Sequence, residues 1–184
     1  MSFFSRLFSG KPGHPAAPTT ARAPGPKVVS HSVAGTSYRQ EAIGAMGIKN
    51  PDYLLTKREL LKKWPYGVTV YEYIFDPQRV SLAPEPDNPK DPRAIRVLLD
   101  GVHVGYIKAG SCAHIHRLIR EGRIVAIEPK IIGGKYKAVY SYEVGARRPD
   151  DFELEKGETP ISVRLEIAEL PAAGEGGSVN PVRP

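Results

Sequence analysis

The sequence predicts a mainly β fold with short helices, built as a small curled sheet or barrel, and three observations carry that expectation. About seven short runs are rich in β-branched and aromatic residues, and two or three short runs carry helix start and stop residues. Strands and helices do not alternate as the βαβ units of a doubly wound parallel sheet would require. With 184 residues, 41% of them hydrophobic, the chain can bury one substantial core.

The first 27 residues hold prolines 12, 15, 18, 24 and 26 among Ala, Gly, Ser and Thr, and residues 171–184 have a similar composition. Residues 1–27 are therefore expected to form a disordered, basic, Pro-rich tail, 28–170 the folded domain, and 171–184 a second disordered tail. Phe3, Phe4, Leu7 and Phe8 make a short apolar face, but an isolated helix of that length is marginal in water, so a frayed terminus is expected.

Val28–Ala34 alternates as a strand and stops at Gly35. Ser37 and Gln40 have capping-box spacing, predicting a short helix from Tyr38 to Met46; Thr56 and Glu59 repeat the signal before a second helix that Pro65 ends. Val68–Phe75 and Arg79–Ala83 are strand-like. Ala94–Leu99 and Val102–Ile107 flank Asp100-Gly101, the dipeptide best suited to a type I′ hairpin turn. Ser111 predicts a helix cap for a run to Arg120 closed by Gly122. Ile124–Ile132 and Lys135–Val144 around Gly133-Gly134 suggest another hairpin, and Ile161–Ile167 a last strand.

A net charge of +6 suggests a nucleic-acid binder until it is divided by region. Residues 1–27 carry four basic residues and no acid, whereas residues 28–170 carry 21 basic and 19 acidic residues. A nearly balanced domain binds through a local site, with the basic tail as an electrostatic helper. No run approaches the roughly 18 apolar residues of a membrane span, the start is too interrupted for a signal peptide, and Cys112 alone forms no internal disulfide. A cytoplasmic protein is expected.

The local site suggested by composition is Pro84-Glu-Pro-Asp-Asn-Pro-Lys-Asp-Pro92, four prolines and three acids in nine residues. Each proline fixes its own φ and biases the residue before it toward extended backbone, so Glu85, Asn88 and Asp91 are presented in set directions. Such preorganisation favours binding. A rigid surface turn has the same composition, so this loop alone does not establish a site.

Three ordered blocks make the sequence resemble the HIRAN domain across residues 31–132. They are Val33-Ala-Gly-Thr-Ser-Tyr-Arg-Gln40, Glu85-Pro-Asp-Asn-Pro-Lys-Asp-Pro-Arg-Ala-Ile-Arg-Val97 and Gly101-Val-His-Val-Gly-Tyr-Ile107, followed by a helix and Gly122. The resemblance implies an OB-like/SH3-like small β-barrel that binds the 3′ end of single-stranded DNA. By the same resemblance Tyr38 stacks on the terminal base, Asp91 accepts a hydrogen bond from the free 3′ hydroxyl, Asn88 supports that carboxylate or touches the sugar, and Lys108 meets phosphate. Arg39, Lys90 and Tyr106 join these as nucleic-acid-binding candidates. The chain departs from the family pattern at three places: Ser37 stands for an arginine, Lys90 for an aromatic residue and Tyr106 for a histidine.

Cys112, His114 and His116, with His31 and His103, do not assemble four ligands at structural-zinc spacing, so no metal site and no cofactor are expected. No phosphate-loop motif and no Gly-x-Ser-x-Gly are present, which removes ATP-driven and serine-hydrolase chemistry from this chain. The tyrosines at 71, 73, 136, 140 and 142 are expected mainly to pack on the sheet.

The reading is a non-enzymatic module for single-stranded DNA ends in DNA repair, replication or processing, with a repair, helicase or nuclease protein as a further partner. A protein-interaction adaptor recruiting a partner enzyme is the alternative. A metal-dependent nuclease using Glu85, Asp87 and Asp91 comes third.

Overall fold

The computed structural model describes residues 25–143 and 145–172. The tail readings for 1–24 and 173–184, and the Phe3–Phe8 segment, lie outside the described residues. Within them run β1 (Lys27–Ala34), α1 (Gln40–Gly44), β2 (Ile48–Lys49), α2 (Lys57–Lys63), β3 (Val68–Tyr71), β4 (Tyr73–Ile74), β5 (Val80–Pro84), β6 (Ile95–Leu99), β7 (Val102–Ile107), α3 (Ala109–Arg120), β8 (Ile124–Tyr140) and β9 (Glu153–Glu169). The fold is mainly β with short helices, as the sequence predicts.

Seven strands form one antiparallel sheet in the order β3-β8-β9-β1-β7-β6-β5, and β2 pairs with β4 separately. β1 produces the curl. Its residues Lys27 to Ser32 pair with β9, and Val33 and Ala34 then pair with Ile107 and Tyr106 of β7. The strand thus passes from one half of the sheet to the other, and the sheet bends around the core in OB-like fashion until β5 approaches within 8 Å of β8 at Cα.

Period-two alternation supplies the inner face: Ile95, Val97 and Leu99 of β6 and Val163, Leu165 and Ile167 of β9 are buried. Ile43 of α1 and Cys112, Ile115 and Leu118 of α3 close that core. Burying each larger apolar side chain contributes roughly 1.5–3 kcal/mol. A second cluster of Leu60, Leu61, Val70, Val139 and Phe152 ties α2 to β3 and the far end of β8.

The β6–β7 hairpin turns at Asp100 (φ 48°) and Gly101 (φ 84°), the paired positive values of a type I′ turn. The Asp100 carboxylate also accepts the Arg79 N–H at 2.8 Å, holding the start of β5 against the turn. The Thr56–Glu59 capping box forms as expected. Thr56→Ala is expected to lower stability by about 0.5–1 kcal/mol; a urea midpoint equal to that of the parent would show that burial of Leu60 and Leu61 alone sets the helix start.

Four local expectations differ from the structure. Gly133-Gly134 is no hairpin turn but a bend within the 17-residue β8. Gly133 has φ 135°, and a Cβ there would fall 2.4 Å from the Pro160 carbonyl oxygen, so the glycine lets β8 coil tightly against β9. β9 begins at Glu153, not Ile161, because the polar stretch Glu153–Pro160 pairs along β8 despite little strand propensity. Val68–Phe75 is split: Glu72 donates its N–H to Lys135 O at 2.8 Å, after which Tyr73 and Ile74 pair with β2. Neither Ser37 nor Ser111 caps a helix; a 3-10 turn over Thr36–Arg39 precedes α1, and α3 starts at Ala109 with Lys108 at its N-cap.

Candidate nucleic-acid interface

The crossing of β1 onto β7 builds the first part of the site. Gly35 (φ 78°) turns the chain out of β1 into the 3-10 turn carrying Tyr38 and Arg39. The Tyr38 N–H donates to Gly35 O at 3.1 Å. Gln40 anchors the far side: its Nε2 donates to Thr36 O (2.8 Å) and Ile161 O (2.9 Å), and its Oε1 accepts the Ile161 N–H (2.7 Å). The spacing that suggested a capping box therefore serves a tertiary bond to β9. On this fixed turn the Tyr38 ring is 88% exposed. A rigid aromatic face in water is what base stacking needs.

Residues 85–94 form the second part. Glu85 N–H donates to Ala94 O at 2.9 Å, closing the loop at its base. Asn88 organises the interior: its Nδ2 donates to Glu85 Oε2 (2.9 Å), and its Oδ1 accepts the N–H groups of Lys90 (3.0 Å) and Asp91 (3.3 Å). Both ends of Asn88 are thus engaged within the loop, on the Glu85 carboxylate and on the backbone N–H groups of Lys90 and Asp91 rather than on the Asp91 carboxylate. Asp91 Oδ1 accepts the Arg93 N–H at 2.9 Å and lies 3.5 Å from the Arg93 guanidinium, while Oδ2 has no hydrogen-bond partner among the described residues.

The loop rests against α3 past the middle of the helix, where His116 Nε2 meets Arg93 O at 3.0 Å. Burial, reinforced by the nearby Asp91 carboxylate, pushes the Cys112 thiol up, and Cys112 lies one turn beyond Lys108. Among the described residues Arg39, Lys90 and Lys108 make no ion pair, and all three are exposed.

Between the two parts lies a cluster of Glu85, Arg96, His103 and Tyr106, all inside the motif blocks, in which the sequence singles out Tyr106 alone for nucleic-acid binding. Arg96 of β6 is the cross-strand partner of Tyr106, whose ring meets His103 edge to face at 4.9 Å. Burial, then the positive charges of Arg39 and Arg96, hold His103 below the usual histidine range, against a contact with Gly105 O that favours the charged form. Arg96 also pairs with Glu85 of the loop. The one sequence signal for Arg96 is alternation: Ile95, Val97 and Leu99 face the core, which turns Arg96 outward.

The remaining histidines are dispersed. Among the described residues no group of three or more His, Cys, Asp or Glu is placed to hold a metal ion. Cys112 points its thiol at the carbonyls of Ile107 and Lys108. His114 Nε2 meets Glu169 Oε2 at 2.7 Å, and Arg117 donates to its Nδ1 at 3.2 Å. His31 lies beside it, 8% exposed, with Nε2 lacking a partner among the described residues.

Burial first, then the neighbouring His114, lowers the His31 pKa, against the opposing charge of Glu169. The folded state thus favours neutral His31. Its contribution to stability is complete above the unfolded pKa near 6.5 and is lost as pH falls through the lower folded value. Denaturation midpoints are expected to fall between pH 7.5 and 5, with a shallower dependence in His31→Gln; identical profiles would assign the acid sensitivity to other groups.

No described helix is long and apolar enough to cross a membrane. No curated protein matches the chain. A solved structure, the crystal structure of the HIRAN domain of human HLTF, is similar at 12% identity and a TM-score of 0.32, over 78% of this chain and 76% of that one. The family described as HIRAN domain matches residues 27–145, a span that contains the Tyr38 turn, the proline-rich loop, the β6–β7 hairpin and α3. With most of its length matched and every candidate residue inside the match, this chain belongs to the HIRAN domain family.

Proposed function

We propose that this chain is a non-enzymatic module that recognises single-stranded DNA at 3′ ends and serves DNA repair, replication or processing. HIRAN membership supports nucleic-acid binding in general. The observation that carries the finer reading is the exposed Tyr38 ring on a turn tied down at both ends, beside unpaired Arg39.

Chemistry supplies the end selectivity. The base stacks on Tyr38 while Arg39, Lys108 and Lys90 attract the backbone. A free 3′ hydroxyl donates to Asp91 Oδ2. An internal nucleotide or a 3′ phosphate offers no donor there and brings a like charge to the carboxylate, so both are disfavoured.

The test is fluorescence anisotropy with a 3′-hydroxyl strand, its 3′-phosphate counterpart and a blunt duplex. The hydroxyl strand is expected to bind at least about tenfold more tightly than the phosphate strand, a difference of roughly 1.4 kcal/mol, and Asp91→Asn is expected to narrow that gap. Equal, weak binding of all three that disappears at modest salt overturns the proposal, since only sequence-independent electrostatics would remain.

A further inference from the structure

Beside the Tyr38 turn, the proline-rich loop and the β6–β7 hairpin border an open cleft of about 500 Å³ lined by Glu85, Asp87, Asn88, Arg96, Tyr106 and the loop prolines. Its side-chain polar groups are one guanidinium, two carboxylates, an amide and the Tyr106 hydroxyl. Arg96 sits with its side chain 43% exposed over Glu85, which is 15% exposed. Asn88 further ties Glu85 in place. Arg96 Nε is closed off from solvent and has no acceptor among the described residues. Asp87 is exposed at the cleft and accepts no hydrogen bond from a described residue.

Two carboxylates against one guanidinium make this a poor place for phosphate, because the anion would face a like charge on two sides. A neutral ligand with donors and an acceptor on one edge suits it better, since carboxylates only accept and guanidinium only donates. The flat tyrosine ring and the proline faces suit a planar heterocycle. Among the four bases only guanine places two adjacent donors, N1–H and the 2-amino group, next to a carbonyl oxygen. Cytosine and adenine offer one amino donor on that edge, and thymine offers one N–H between two acceptors.

We propose that this cleft is a nucleobase subsite that reads guanine: Asp87 accepts from N1–H and the 2-amino group, Arg96 donates to O6, and Tyr106 covers a ring face. The inference rests on the DNA-binding reading above and adds a sequence preference to it. Glu85 then serves as a positioning residue that aims Arg96, and the backbone phosphates stay with Arg39 and Lys108 outside the cleft.

The experiment compares oligothymidylates of about ten nucleotides, within the footprint of an OB-type module, whose last or penultimate base is guanine, hypoxanthine, adenine, cytosine or thymine. Guanine at one of these positions is expected to raise affinity about 5- to 150-fold over thymine. Hypoxanthine, lacking the 2-amino group, is expected to fall between them. Asp87→Asn is expected to bring the ratio of guanine to thymine affinity toward one, and this exposed position carries no folding role that would confound the result. Arg96→Gln is expected to do the same, with circular dichroism as the check that Glu85 tolerates the loss. Equal affinity for all five strands, with binding still dependent on Tyr38, overturns the guanine subsite and leaves the DNA reading intact. A preference that survives both substitutions also overturns it, and absence of binding to every strand overturns the DNA reading itself.

Discussion

Tyr38→Ala is expected to weaken single-stranded DNA binding about 5- to 150-fold, the equivalent of roughly 1–3 kcal/mol for one stacked base. Its thermal unfolding is expected to stay within about 0.5 kcal/mol of the parent. The separation of the two effects follows from the position of the ring, which is 88% exposed and contributes nothing to either buried cluster. The turn beneath it is held by backbone and by Gln40, so the truncation removes a contact surface without loosening its support. Anisotropy titrations and thermal melts of the same preparation measure both quantities. Unchanged affinity with unchanged melting would remove Tyr38 from the interface, and Tyr38→Phe is expected to retain most of the binding because stacking does not need the hydroxyl.

The second large effect is expected at Gly105→Ala. Gly105 has φ 150°, and a Cβ there would fall 2.3 Å from the Ala34 carbonyl oxygen and 2.7 Å from Val33 Cγ1. The oxygen belongs to the strand that pairs with β7 at that point, so it moves only if the β1–β7 ladder opens. Strained backbone and overpacking together are expected to destabilise the protein by about 2–5 kcal/mol, a fall in melting temperature of roughly 4–20 °C for a chain of this size. Where the variant remains folded, weaker DNA binding is expected as well, because the Tyr38 turn leaves β1 only one residue after Ala34. A melting temperature within about a degree of the parent would mean that β1 and β7 have room to separate.

Much of the local structure was legible because it depends on neighbours in sequence. The Asp100-Gly101 turn, the alternating β6 and the Thr56–Glu59 capping box each require only residues within a few positions of one another. The long β8–β9 pairing was not. Glu153–Pro160 has weak strand propensity and pairs because β8 already offers an open row of backbone groups, while Gly133-Gly134 resembles a turn and acts as a bend. Ser37 and Gln40 show the same limit: the spacing allows a local cap, yet Gln40 finds a better set of partners on Ile161, 121 residues away.

The candidate site divides along the same line. Motif resemblance was sufficient to single out Tyr38, Asn88, Asp91 and Lys108, and to list Arg39, Lys90 and Tyr106 with them. Arg96, Glu85 and His103 acquire their place only when β6 and β7 pair in register, since that pairing sets Arg96 across from Tyr106 and under the loop. Asn88 likewise emerges as the organiser of its own loop only once its partners are seen.

The sequence by itself determined that this protein is a mainly β chain with a stiff acidic loop, a type I′ hairpin and a nearly neutral domain whose binding must be local. Those properties rest on backbone preferences, side-chain period and charge, all of which act over short distances. Only the tertiary structure decided where β1 crosses between sheet halves, which side chains the crossing brings together and which polar groups are already satisfied. Those depend on pairing between residues far apart in the chain, where many partners are compatible with each residue and only the assembled core selects among them.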